Sequence, residues 1–77
     1  MLTGKQFRLT TETLAIQRIE GERRAVKVPA DAIIRVISGP KPTDSRMIDV
    51  EWDGNQLVMF AEDVQRRGQE IKGRTAG

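Results

Sequence analysis

Apolar and polar residues alternate along most of this chain, and an alternation with a period of two is the pattern of a half-buried β-strand. No window of the chain sustains the 3.6-residue period of an amphipathic helix. The pattern predicts an all-β chain of five or six short antiparallel strands. The alternating segments are residues 5–10, 13–19, 23–28, 32–37, 47–52 and 55–60, with residues 69–71 as a short final strand.

Asp53 and Gly54 stand between two apolar segments and predict a two-residue hairpin turn, because both residue types tolerate the positive φ of a type I′ turn. A turn of this length fixes which side chains share a face of the sheet. The pairs predicted to face the core are Trp52–Asn55, Val50–Leu57 and Ile48–Met59. The pairs predicted to face outward are Glu51–Gln56, Asp49–Val58 and Met47–Phe60.

The first hairpin is predicted to turn through three residues, 20–22. This connection pairs Ile16 with Val26 and Leu14 with Val28, so that all four side chains face the core. A two-residue turn would instead place Leu14 opposite a lysine. The full predicted core is Phe7, Leu9, Leu14, Ile16, Val26, Val28, Ile34, Val36, Ile48, Val50, Leu57, Met59, Ala61 and Val64.

The last part of the chain breaks the strand pattern. Residues 61–67 lack alternation and are too few for a helix that is stable by itself, so one 3₁₀ turn is expected before the final strand. Residues 72–77 have no apolar anchor, so a disordered tail is expected there. The prediction is therefore one domain over residues 1–71. A closed barrel is expected because closure hides the edges of a short β-chain.

Several apolar side chains remain on the outer side of these strands. These outer side chains can be covered by the chain's own loops and first strand, or they can be buried against a second copy or another partner. Burial in a partner would stabilise so small a domain by several kcal/mol, at about 25 cal/mol per Å². We therefore expect a homo-oligomer. The candidate interface residues are Met47, Val58, Phe60, Ile33 and Ile37.

The composition argues against an enzyme. The 77 residues include no Cys, His or Tyr, so the usual nucleophiles and general bases are mostly missing, and Ser38 and Ser45 have no His to activate them. Asp49 and Glu51 share a strand face, and paired carboxylates can bind a hard cation or act as acid and base. We expect instead that both are solvated and balanced by nearby arginines. No catalytic residue, cofactor or metal site is predicted. No signal peptide or apolar run of about 20 residues is found, so a soluble cytoplasmic protein without membrane contact is expected.

Nucleic acid is the alternative partner. Thirteen basic residues nearly balance eleven acidic ones, yet basic residues cluster on the first hairpin, and arginines contact phosphates well. Glu20 and Glu22 in the same hairpin and the scarcity of aromatic residues weigh against this reading. The candidate patch is Arg18, Arg23, Arg24 and Lys27, extended by Arg66, Arg67 and the tail residues Lys72 and Arg74.

The order of these elements resembles that of SH3-like β-barrels. A hairpin is followed by a strand ending in Ser-Gly-Pro, a loop, a strand ending in Trp-Asp-Gly, a strand ending in Phe-Ala-Glu-Asp-Val, one helical turn and a last strand. The resemblance covers roughly residues 5–71. It implies the small barrel of stand-alone bacterial proteins without an assigned activity, and therefore a binding or scaffolding module.

A second resemblance is to the type II dihydrofolate reductases, which are SH3-like chains of this length that assemble as tetramers around one pore. Their site strand reads Val-Gln-Ile-Tyr at the position of Leu57-Val58-Met59-Phe60. Here Val58 or Met59 replaces the Gln and Phe60 replaces the Tyr, so the polar groups that hold folate and nicotinamide are missing. The resemblance implies assembly into an oligomer. A pore-forming oligomeric enzyme of this kind is the second alternative function, after nucleic-acid binding.

Overall fold

A computed structural model describes residues 2–40 and 45–71, and the expected tail at 72–77 lies outside these described residues. Within them the chain forms seven strands, all paired antiparallel in one sheet, and one helix. The all-β prediction is confirmed. The strand number is higher than the predicted five or six because all six alternating segments and the short final segment form strands. The elements are β1 (Gln6–Leu9), β2 (Thr13–Ile19), β3 (Glu22–Val28), β4 (Ile33–Ser38), β5 (Met47–Trp52), β6 (Asn55–Phe60), α1 (Ala61–Arg67) and β7 (Gly68–Ile71).

The sheet is open rather than closed. Its strand order is β3-β2-β6-β5-β4-β1-β7, so β3 and β7 are its two edges within the described ranges. The expected closure by strand pairing is therefore not found. The connection between β1 and β2 is instead fastened to the end of α1. Both the backbone N–H and the hydroxyl of Thr10 donate to the carbonyl of Arg67, at 2.6 and 2.8 Å.

One side of this curved sheet holds the core. The predicted core is confirmed at every position except three, and of these Val26 is half-buried and still packs against the core. Val64 on α1 and Phe7 on β1 are buried with the inward residues of the central strands, so the helix covers one end of the core. The hairpin β5–β6 has the predicted two-residue turn and all six predicted cross-strand pairs.

The register of the hairpin β2–β3 differs from the prediction. The turn consists of two residues, Glu20 and Gly21, with φ of 52° and 81°, which is the backbone of a type I′ turn. Leu14 therefore lies opposite Lys27 and is 57% exposed, and Ile16 lies opposite Ala25 on the same outer face. The prediction that Leu14 and Ile16 belong to the core was wrong.

Smaller side chains fill the core at this hairpin. Thr13 and Ala15 are buried, opposite Val28 and Val26. The Thr13 hydroxyl donates to the carbonyl of Thr11 at 3.0 Å, so its burial leaves no unsatisfied donor. The preference for the larger apolar residues misled the sequence-based choice of register.

The predicted 3₁₀ turn is a seven-residue α-helix. Ala61 and Val64 anchor one side of α1 in the core, and tertiary packing stabilises helices that are too short to form alone. Glu62 in the first turn and Arg66 in the last turn form an i,i+4 ion pair at 3.6 Å. No helix in the described ranges is long and apolar enough to cross a membrane.

The surroundings of position 39, directly after β4, require a glycine. Its φ is 118°, and an added Cβ would lie 2.9 Å from Cγ2 and 3.0 Å from Cα of the buried Ile48. β4 also carries an irregularity between Val36 and Ser38, which shifts its pairing with β5 by one residue. Together these features bring the end of β4 close over β5.

Candidate interaction surface

The outer face of β5 and β6 carries apolar side chains that the core does not use. Val58 lies opposite Asp49, and Phe60 lies opposite Met47, as predicted. Phe60 is 46% exposed, while its chain neighbours Met59 and Ala61 are buried. The outward placement of Met47, Val58 and Phe60 is therefore as expected from the two-residue turn.

β2 extends this face. Ile16 pairs with Val58 across the two strands, and the same antiparallel register continued by two residues brings Leu14 alongside Phe60. Five apolar side chains are thus neighbours on one face of three adjacent strands. We call them the outer apolar patch: Leu14, Ile16, Met47, Val58 and Phe60. Sequence reasoning missed Leu14 and Ile16 because it assigned the longer turn to the first hairpin.

Ile33 does not join the patch, and Ile37 lies at the irregularity of β4. Ile33 lies opposite Arg8 of β1 and is 52% exposed, whereas Ile37 is half-buried at the irregularity of β4. Because Arg35 pairs with Glu51, Ile33 is displaced from Met47 by about six residues, or roughly 20 Å along the strands. The structure therefore separates Ile33 from the predicted interface residues on β5 and β6.

The carboxylates on this outer face are already engaged. Asp49 is buried and accepts a hydrogen bond of 2.9 Å from the hydroxyl of Ser38, and Glu51 forms an ion pair with Arg35. Within residues 2–40 and 45–71, no three carboxylates gather closely enough to hold a metal ion. The carboxylates of Asp49 and Glu51 thus lie beside the patch and already have hydrogen-bond or ion-pair partners.

Two arginines lie directly opposite each other on the same face. Arg18 of β2 pairs with Arg23 of β3, and Lys27 shares their side of the hairpin because it lies four residues beyond Arg23. All three are exposed, and none forms an ion pair with a described residue. Arg24 points to the other side of the hairpin. We call Arg18, Arg23 and Lys27 the hairpin cations.

The remaining members of the predicted basic patch lie elsewhere. Arg66 pairs with Glu62, and a guanidinium N–H of Arg67 donates to the carbonyl of Glu12 at 3.4 Å. Glu12 precedes β2, so this end of the hairpin is about 20 Å from Arg18, six residues along the chain. Lys72 and Arg74 lie outside the described residues.

Comparisons with known proteins assign no family to this geometry. No protein-family model matches the chain, and no curated protein or solved structure matches it either. The functional argument therefore rests on the outer apolar patch and the hairpin cations.

Proposed function

We propose that this protein is a non-enzymatic, SH3-like binding module that associates with a second copy of itself through the outer apolar patch. The observation that carries the proposal is the exposure of Leu14 and Phe60, at 57% and 46%, next to three half-buried apolar neighbours. The core beneath them is complete without them. Contiguous exposed apolar side chains mark interaction surfaces more often than chance scatter does.

The order of the strands supports an SH3-like arrangement. β1 lies between β4 and β7, the hairpin β2–β3 is inserted in the chain between β1 and β4, and one helical segment precedes the last strand. These features agree with the resemblance seen in the sequence. The SH3-like arrangement remains part of the proposal because no strand pairing among residues 2–40 and 45–71 closes the sheet.

The distribution of charge around the patch favours a second copy as the partner. Arg18 and Arg23 lie beyond one end of the patch, while Glu12, before β2, and Glu62, after β6, lie beyond the other end. A twofold axis that lies between two facing patches, parallel to the sheet and across its strands, would place the arginines of one copy near the glutamates of the other. Such a self-complementary face is what a twofold interface requires.

The patch also has the layout of a small interface. Its apolar residues occupy the centre and charged residues form the rim, which is the usual arrangement where proteins associate. Five side chains alone fall short of the roughly 1,200 Å² of total buried surface in a stable complex. The rim residues of both copies must therefore be part of the contact.

We do not extend the proposal to a folate or nicotinamide reaction. The strand that corresponds to the reductase site presents Val58 and Phe60 on its outer face, and neither side chain can form a hydrogen bond. The absence of His, Cys and Tyr from the chain supports a binding role.

The molar mass in solution tests the proposal. Sedimentation equilibrium of the full chain is expected to give twice the 8.7 kDa of one copy. A monomer at every concentration up to about 1 mM, where even an association free energy of about 4 kcal/mol would be visible, contradicts the proposal.

A further inference from the structure

The hairpin β2–β3 places two positive charges directly opposite each other. Side chains in opposite positions of an antiparallel pair have Cβ atoms about 5 Å apart, and like charges there are destabilising. Arg18 and Arg23 occupy such positions. Lys27 extends the series along β3, about 13 Å from Arg23 at 3.3 Å per residue.

Acidic residues do not relieve this repulsion. Glu22 lies opposite Ile19, on the other side of the hairpin, and Glu20 belongs to the turn. Elsewhere on the described surface, Lys5 pairs with Glu70 at 3.7 Å, and Arg35 and Arg66 form the ion pairs described above. Arg18 and Arg23 are set apart by lying directly opposite each other without an ion pair to a described residue, and a cost to stability without a structural return indicates a functional site.

We infer that the outer face of this hairpin binds the phosphate backbone of a nucleic acid. Arg18 and Arg23 contact phosphate oxygens with their guanidinium groups, and Lys27 contacts the same strand further along. A bound phosphate chain neutralises the repulsion within the arginine pair. The inference does not rest on the proposed self-association, but Arg18 and Arg23 also lie at the rim of that contact, so nucleic acid and a second copy would compete for them.

A linear polyanion fits these cations better than an anionic membrane does. The three charges form a track along the edge strand and its neighbour. A membrane lying on the outer face would also meet the opposite end of the patch, where Glu12 and Glu62 would repel it. A phosphate chain that follows the edge strand β3 stays two strands away from β6, after which Glu62 lies.

The salt dependence of binding tests the inference. Fluorescence anisotropy would be measured with a labelled 20-nucleotide single strand of mixed sequence and with the corresponding duplex. Three phosphate contacts predict slopes of log K against log salt of about −2 for the single strand and about −3 for the duplex. Between 50 and 200 mM salt, affinity is expected to fall roughly 20-fold and 40-fold respectively.

The double variant Arg18→Gln/Arg23→Gln leaves one contact, so the slope should fall to about −1. At a protein concentration at which the chain is monomeric, its melting temperature should be equal to or higher than that of the wild type, because the like-charge pair is removed. The control is Lys5→Gln/Arg66→Gln, which removes two charges from ion pairs outside the hairpin and should keep the original slope.

Three results would overturn the inference. They are the absence of binding to both nucleic acids at 50 mM salt, an equal loss of slope in the two double variants, and tighter binding to phosphatidylserine vesicles than to nucleic acid. In the first case the hairpin cations only protect the exposed edge strand from pairing with other chains.

Discussion

The substitution Phe60→Asp tests the proposed self-association most directly. Phe60 is 46% exposed, and an aromatic side chain can bury about 200 Å², so an interface could cover roughly 90 Å² more of it. At about 25 cal/mol per Å², that area contributes roughly 2.3 kcal/mol per copy. A twofold interface contains two such residues. The expected loss is therefore about 4.5 kcal/mol, or a dissociation constant raised roughly 1,000-fold.

The variant should remain folded. Phe60 lies outside the core and is the N-cap residue of α1, where it makes no side-chain hydrogen bond to the helix. Aspartate is among the preferred N-cap residues because its carboxylate accepts hydrogen bonds from the first free N–H groups. The free energy of unfolding of the monomer should thus change by less than about 1 kcal/mol. A lost dimer could then not be ascribed to unfolding.

Ile33→Asp is the matched control. Ile33 is 52% exposed, lies outside the patch, and would receive the same acidic replacement. Sedimentation equilibrium of the three proteins should show a dimer for the wild type and for the control, and a monomer for Phe60→Asp. Circular dichroism on the same samples checks the fold.

Two results would refute the reasoning about this face. If Phe60→Asp leaves the dimer intact, the outer apolar patch is not the interface. If it unfolds the protein while Ile33→Asp does not, Phe60 contributes to the core of the monomer and the patch is ordinary packing.

Stability measurements by urea denaturation give three further predictions. Gly39→Ala should lower the free energy of unfolding by about 2–3 kcal/mol, because a positive φ and a clash with the core combine there. Gly21→Ala, where φ is positive but the space around the residue is open, should lower the free energy of unfolding by less. Equal losses would show that the clash at Gly39 is relieved. Ser38→Ala should cost about 1–2 kcal/mol by removing a donor from buried Asp49, and no change would show that this hydrogen bond contributes nothing. Val64→Ala should cost about 2–3 kcal/mol through the cavity it leaves, and a loss below about 1 kcal/mol would mean that α1 is not anchored there.

The strands and most of the core could be predicted from the sequence because alternation is a local signal. At Asp53-Gly54 the turn residues and the apolar pattern agree. Each of these two signals by itself predicts the observed register of β5 and β6. The helix α1 was underestimated because its stability comes from Ala61 and Val64 contacting the core, which no seven-residue window reveals.

At the first hairpin the two local signals conflict. The large apolar residues Leu14 and Ile16 favour a three-residue turn, whereas Glu20 and Gly21 form a two-residue turn. In the observed register Thr13 and Ala15 fill the core side of β2, and the Thr13 hydroxyl is satisfied by the carbonyl of Thr11. The sequence pattern does not reveal that these smaller side chains suffice there.

This shift of one residue generates both candidate surfaces. In the longer turn, Leu14 and Ile16 would have faced inward, and Arg18 would have been opposite Arg24 rather than Arg23. In the observed register the same alternation directs Leu14 and Ile16 to the outer face and brings Arg18 and Arg23 together beside them. Both registers place Arg18 opposite an arginine, so the shift does not create an arginine pair; it directs that pair to the outer face. The register of β2–β3 therefore decides which apolar and basic side chains the outer face presents, while Thr13 and Ala15 fill the inner face.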